Sequence, residues 1–252
     1  MRFFITLAYD GSPYNGWQIQ PNGLSVQGLL QDALSTMLRR KTDVVGAGRT
    51  DSGVNARIMV AHFDYPEEEA YSDLESEAGL KQLTYRLNRF LPPTIYIYKV
   101  ERVADDLHAR FSAKQRTYRY YIHTRKDPFL RKFSHEIHYN LDFELMNEAA
   151  SILKEHSDFG AFCKSHSDVK TTFCRIYEAR WLKLPNNHSY CFEISADRFL
   201  RNMVRAIVGT LIDVGRGRLG LGDFDDIIRS GKRTEAGESM PAHALFLEAI
   251  KY

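Results

Sequence analysis

The polar and apolar positions of this chain change period again and again, and each change predicts an element. After one leading cation, residues 2–9 carry a strand pattern. Ser25 reads as a helix cap, and Val26, Leu29, Leu30, Ala33, Leu34, Met37 and Leu38 recur along one helical face. Arg39, Arg40 and Lys41 close that helix at the end where cations suit the dipole. Val44 and Val45, and then residues 58–63, read as strands on either side of a glycine-rich stretch. Pro66 and a run of glutamates read as a solvated linker. A second helix is predicted from about residue 73 to 90, stopped by Pro92-Pro93. Ile95, Ile97 and Lys99 then alternate with Tyr96, Tyr98 and Val100, which predicts a strand with the two sets on opposite faces.

Strand, helix, strand, strand, helix, strand is the split βαβ unit of a ferredoxin-like fold. The same order recurs further on. Strands are predicted over 116–124, 174–184, 189–196 and 245–250, and helices over 143–155 and 199–213. The first of these two helices has Phe143, Met146, Ala149, Ala150 and Leu153 as its apolar positions. No residue-level repeat accompanies this order, so the duplication is one of pattern. The expected fold class is α+β: two ferredoxin-like halves, 1–105 and 106–252, each a sheet with helices on one face. Sheets joined edge to edge would leave a central cleft, a natural seat for an elongated polymer.

Composition adds limits. A chain of 252 residues with 44% hydrophobic and 26% charged residues is globular. Cys163, Cys174 and Cys191 are an odd number without Cys-x-x-Cys spacing, so they read as small buried hydrophobes in a reducing cytoplasm. No apolar run reaches membrane-spanning length, and the opening residues are too short a run for a signal peptide. The nine histidines offer no metal-ligand spacing. Net charge is only +2, so a nucleic-acid binder built this way would concentrate its positive charge on one face.

Candidate chemistry begins at Gly46-Ala47-Gly48-Arg49-Thr50-Asp51-Ser52-Gly53-Val54-Asn55-Ala56. Three readings compete. The stretch is a hairpin whose Asp and Thr only satisfy the turn, or a phosphate loop, or a catalytic carboxylate beside an arginine. The phosphate reading wants a helix after the glycines, and no helical pattern follows. Downstream, 116–122 alternates Tyr118, Tyr120 and Ile122 with Arg119 and Tyr121. Tyr120 and Tyr121 read as sheet formers, while interleaved arginines and tyrosines also suit RNA, with rings stacking on bases and arginines binding phosphate. In 199–209, Arg201 and Arg205 border a broad apolar helical arc. Such arginines commonly lie over a core with their heads in water.

The stretch Gly-Arg-Thr-Asp-x-Gly-Val resembles the signature of the tRNA pseudouridine synthase A family, in which the Asp is the nucleophile. Phe111-Ser112-Ala113-x-x-Arg116-x-Tyr118-Arg119-Tyr120 resembles its second motif, and Phe-Leu-x-x-Met-Val-Arg-x-Ile-Val-Gly its third. Tyr9-Asp10-Gly11, Gly16-Trp17-Gln18, Val26-Gln27, Leu91-Pro92-Pro93, His108-Ala109-Arg110 and Pro241-Ala242 also stand in family order. Ser52, Asn55, Leu107 and Ala244 depart from the usual pattern.

The resemblance implies a cofactor-free, metal-free isomerase that converts uridine to pseudouridine in tRNA at positions 38 to 40 of the anticodon stem-loop, working as a cytoplasmic homodimer. By it Asp51 is the catalytic carboxylate, Tyr118 lies against the target base and Arg205 pairs with Asp51. Asp51 would add to ribose C1′ or take a ribose proton to form a glycal. The base must first be flipped out. Arg49 would fill the emptied stack, or pair with Asp51 inside the loop. Two rivals stand beside this reading: a non-catalytic RNA-binding module, and a hydrolase that cleaves the same bond and releases uracil.

Overall fold

The opening strand pattern is β1 (Arg2–Tyr9), with Phe3, Ile5 and Leu7 fully buried. The structure is a computed structural model and describes residues 1–21, 23–67, 74, 76–165, 169–186 and 188–252. The chain divides into two compact units, Met1–Lys114 with Leu247–Tyr252, and Gln115–Phe246.

In the first unit, helix α1 (Val26–Leu38) begins where the Ser25 hydroxyl accepts the Gly28 N–H at 3.2 Å. The predicted apolar face is buried, with Leu29 at its border. Arg39 does not belong to the last helical turn. It caps the helix in left-handed backbone, φ 52°, a conformation usually left to glycine, and Arg40 and Lys41 follow it into solvent. Then come β2 (Val45–Gly46), β3 (Asn55–Asp64), α2 (Glu77–Phe90) and β4 (Ile95–Val103). Ser76 caps α2, and the predicted start of that helix at residue 73 lies outside the described residues.

Strands β4, β1 and β3 are neighbours in that order, all antiparallel, and β2 adds to β3. This is the split βαβ arrangement with its second strand cut to two residues. The predicted faces of β4 fail beyond Tyr98. Thr6 pairs with Lys99 but Leu7 with Ile97, so Tyr98 is the extra residue of a β-bulge. The bulge resets the alternation: Val100 turns inward and Lys99 outward.

In the second unit, β5 (Gln115–His123) pairs with β6 (His135–Glu136) in parallel. Helix α3 (Phe143–Ile152) starts at Asp142, whose carboxylate accepts the Glu144 and Leu145 N–H groups, and it runs on as a 3-10 turn through Leu153–Glu155. Strands β7 (Ile176–Lys183) and β8 (Ser189–Ala196) follow, then helices α4 (Met203–Gly215) and α5 (Leu221–Ser230). The order β5-β8-β7 repeats the first unit's central pattern. The last strand is β9 (Leu245–Lys251); from Leu247 on it belongs to the first unit, where it lies beside β3.

Two differences from the pattern bear on the site. Helix α4 begins at Met203 and not at 199, because Asn202 takes φ 68° and breaks the helical run before it. Arg201 therefore precedes the helix and does not share a helical border with Arg205. Helix α5 has no counterpart in the predicted elements. Its buried Phe224, Ile227 and Ile228 have helical spacing between Gly220 and Gly231, so the signal was there. The three cysteines are buried and free.

Candidate active site

Asp51 sits in the turn between β2 and β3, and the turn at 9–17 clamps that loop from outside. The Thr50 hydroxyl is buried against the Tyr9 hydroxyl at 2.8 Å, and the Thr50 carbonyl accepts the Trp17 N–H at 3.2 Å. Gly53 takes φ 78° and donates its N–H to the Tyr14 carbonyl, which also accepts the Ser52 hydroxyl. Asn55 is buried, and its side-chain oxygen accepts the Gly11 N–H at 2.8 Å. Two glycines make the clamp possible. A Cβ on Gly16 would come 2.3 Å from the Thr50 carbonyl oxygen, and one on Gly11 would come 2.0 Å from that of Val54. Ser52 and Asn55, both departures from the usual motif, are thus bonded into the clamp.

The carboxylate of Asp51 rides on this fixed backbone. Its own carbonyl accepts the Val54 N–H at 3.1 Å, and the side chain is half-buried. Arg49, two residues earlier, is exposed. The segment after the loop is strand β3, so no helix N-terminus faces the glycines and the phosphate-loop reading falls. Gly46 has a packing role: its Cβ would lie 2.5 Å from the Trp17 indole.

In the second unit, Tyr118 stands in the middle of β5, opposite Ile194 of β8. It is half-buried, with its ring edge-on to Phe199 at 5.1 Å. Tyr120, on the same face, is fully buried and donates its hydroxyl to the Pro241 carbonyl at 3.0 Å. Burial pushes the Tyr120 phenol well above its usual pKa, and the nearby Arg205 charge opposes that shift. Arg119 faces the other way and is engaged: its guanidinium reaches Glu193 at 2.6 Å, and Arg180 reaches the same carboxylate at 2.9 Å. Burial works against that carboxylate's charge, but the two arginines hold its pKa below the usual range.

Arg205 lies in the first turn of α4. Arg205 and Asp213 are the helix's two residues that are not buried. A cation at a helix N-terminus opposes the macrodipole, costing about 0.3–1 kcal/mol, so helix stability does not explain its place. A strap at 236–241 holds it. Arg205 Nε donates to the Met240 carbonyl, and Met240 N–H returns a bond to the Arg205 carbonyl at 3.2 Å. Gly237 N–H donates to the Thr210 hydroxyl at 2.9 Å. Arg233 donates to the carbonyls of Ala236 and Gly237 and to the Ser239 hydroxyl, which also accepts from Asn202 Nδ2. The strap lies so close to α4 that a Cβ on Gly209 would sit 1.9 Å from the Glu238 oxygen.

Of the candidate residues, Asp51 and Arg49 belong to the first unit and Tyr118 and Arg205 to the second. Within the second, the Met240–Pro241 pair takes bonds from both Arg205 and Tyr120, while Tyr118 packs on Phe199. Sequence reasoning missed Arg233, Ser239 and Met240, which no local pattern marks. The one available signal was Gly209, a glycine inside an apolar helical run. Among the described residues no three His, Cys, Asp or Glu side chains gather as a metal set. Among them, too, no helix is long and apolar enough to cross a membrane.

Comparison with known proteins converges on one family. A family model described as tRNA pseudouridine synthase matches residues 149–252. The chain is 54% identical to tRNA pseudouridine synthase A of Bacteroides fragilis over 100% of this chain and 96% of that protein. It is 54% identical to that of Porphyromonas gingivalis, covering 100% and 97%. It is 38% identical to that of Bacillus licheniformis, covering 100% and 99%.

Proposed function

The chain belongs to the tRNA pseudouridine synthase A family, and from that we propose that it isomerises uridine to pseudouridine at positions 38, 39 and 40 of the tRNA anticodon stem-loop. The reaction breaks the bond from ribose C1′ to N1, turns the uracil and joins C1′ to C5. Nothing is oxidised and no group leaves, so side chains suffice. Asp51 acts at the ribose, where positive character develops as the base departs. Arg205 pairs with Asp51 and orients its carboxylate. Tyr118 lies against the uracil and serves the proton removal at C5. Arg49 replaces the flipped base in its stack. The N-terminal half, 1–105, supplies Asp51 and Arg49; the C-terminal half, 106–252, supplies Tyr118 and Arg205. The enzyme works as a homodimer in the cytoplasm, with one tRNA contacting both copies.

The observation that carries this reading is the seating of Asp51. A loop that needed only to turn would not require clamping through Tyr9, Gly11, Tyr14 and Trp17. Fixing a carboxylate in advance is what electrostatic catalysis asks of a scaffold. Mapping pseudouridines in tRNA incubated with the protein tests it. Modification at 38 to 40 is expected. Free uracil would point to the hydrolase, and binding without modification to the RNA-binding module.

A further inference from the structure

The whole chain carries a net charge of only +2, yet the segment between β5 and β6 holds Arg125, Lys126, Arg131 and Lys132 against one carboxylate, Asp127. All four cations are exposed. Asp127 is used by the loop itself: its carboxylate accepts the Phe129 N–H at 2.8 Å, and its carbonyl accepts the Leu130 N–H at 3.3 Å. The Leu130 carbonyl accepts the N–H groups of Phe133 and Ser134, both at 3.0 Å. Ser134 is fastened to the buried His123 ring at 2.8 Å, and Thr124 N–H to the His188 carbonyl at 2.9 Å. The loop is therefore built and anchored at both ends, and at its tip Phe129 is 92% exposed. Beside that ring, Arg125, Lys126, Asn186 and His188 help to line a cleft of about 400 Å³.

None of the predicted site residues lines this cleft. Cations beside a bare aromatic face match single-stranded nucleic acid, with phosphates on the charges and a base on the ring. Arginine and phenylalanine suit a protein partner as well, but protein interfaces are depleted in lysine, and Lys126 and Lys132 tip the patch toward nucleic acid. Six residue-to-residue steps separate Tyr118 from Thr124, about 20 Å of extended chain. We propose that the β5–β6 loop is a second contact for the tRNA substrate, in which Arg125 and Lys126 hold the backbone and Phe129 stacks on an unpaired base outside the anticodon arm. It rests on the reading of tRNA as substrate, and it is independent of the roles given to Asp51 and Arg205.

Phe129→Ala and the pair Arg125→Ala with Lys126→Ala test it. Both change exposed side chains, so thermal stability should hold. Binding is titrated across salt with whole tRNA and with a stem-loop trimmed to the anticodon arm. Phe129→Ala should weaken whole-tRNA binding about tenfold, within the range of one lost base stack. The double variant should flatten the log–log salt slope by about 2. Turnover at saturating tRNA and affinity for the trimmed arm should stay as in the wild type. Unchanged affinity for whole tRNA would overturn the contact. Equal loss on the trimmed arm would overturn its remote placement. A changed sedimentation mass would make the loop an interface between copies of the chain, which also overturns it. A wild type that neither binds nor modifies tRNA would sink the functional reading itself.

Discussion

Gly209→Ala would test how Arg205 is aimed. The new Cβ would fall 1.9 Å from the Glu238 carbonyl oxygen, where ordinary contact begins at 3.4 Å, so the strap must retreat by about 1.5 Å. Glu238 is two residues from Met240, whose carbonyl takes the Arg205 Nε bond. The bond from Gly237 to Thr210 and the three from Arg233 resist the retreat and tear if it happens. Overpacking of this kind costs about 1–3 kcal/mol. Alanine regains about 1 kcal/mol of that through helix propensity. The net loss is roughly 0–2 kcal/mol, which is about 0–8 °C in Tm. Activity is more exposed, since a misplacement of about 1 Å can cost on the order of 100-fold. The expected outcome is a roughly 100-fold fall in tritium release from C5-labelled uridine in tRNA, with tRNA affinity nearly unchanged and Tm only slightly lower. Near-normal release would show that Arg205 does not depend on the strap. A loss that tracked unfolding would show that Gly209 serves packing alone.

Asp51→Asn and Arg205→Leu should each abolish turnover while sparing tRNA binding, and the double variant should be about as slow as the slower single; multiplicative losses would mean that the two act separately. Arg233→Ala should lower kcat with little change in KM, with partial rescue by Arg233→Lys; a KM effect alone would remove it from the positioning of Arg205. His62 is buried, and burial, helped by the Arg2 charge, lowers its pKa to about 4. Its neutral form is favoured by the fold, so its contribution to stability is full above about pH 6.5 and is lost as pH falls from there toward 4. Urea midpoints should show that loss in the wild type and much less of it in His62→Gln; a wild-type curve flat over this range would refute the shift. Sedimentation should give a dimer mass at micromolar protein, and a fully active monomer would end that part of the proposal.

The sequence by itself determined the α+β class, the split βαβ order and the apolar faces of α1 and α3. These depend on periodicity, which is local: a residue's place on a helix or strand follows from its neighbours a few positions away. The three motifs were legible for a related reason, since each is one contiguous run of the chain. Tertiary structure decided what holds them. The bulge at Tyr98 is set by pairing with Thr6 and Leu7, more than 90 residues away, and it reverses the predicted faces of Lys99 and Val100. The start of α4 is set by Asn202, which gives up helical backbone and bonds Ser239. Arg119 looks available for RNA in the linear pattern, and only the pairing of β5 with β8 engages it with Glu193. The clamp on Asp51 and the strap on Arg205 join stretches about 40 and 35 residues apart. Such contacts depend on which backbones approach within hydrogen-bond reach, and glycines such as Gly11, Gly16 and Gly209 show that need only once the opposing carbonyl is in place.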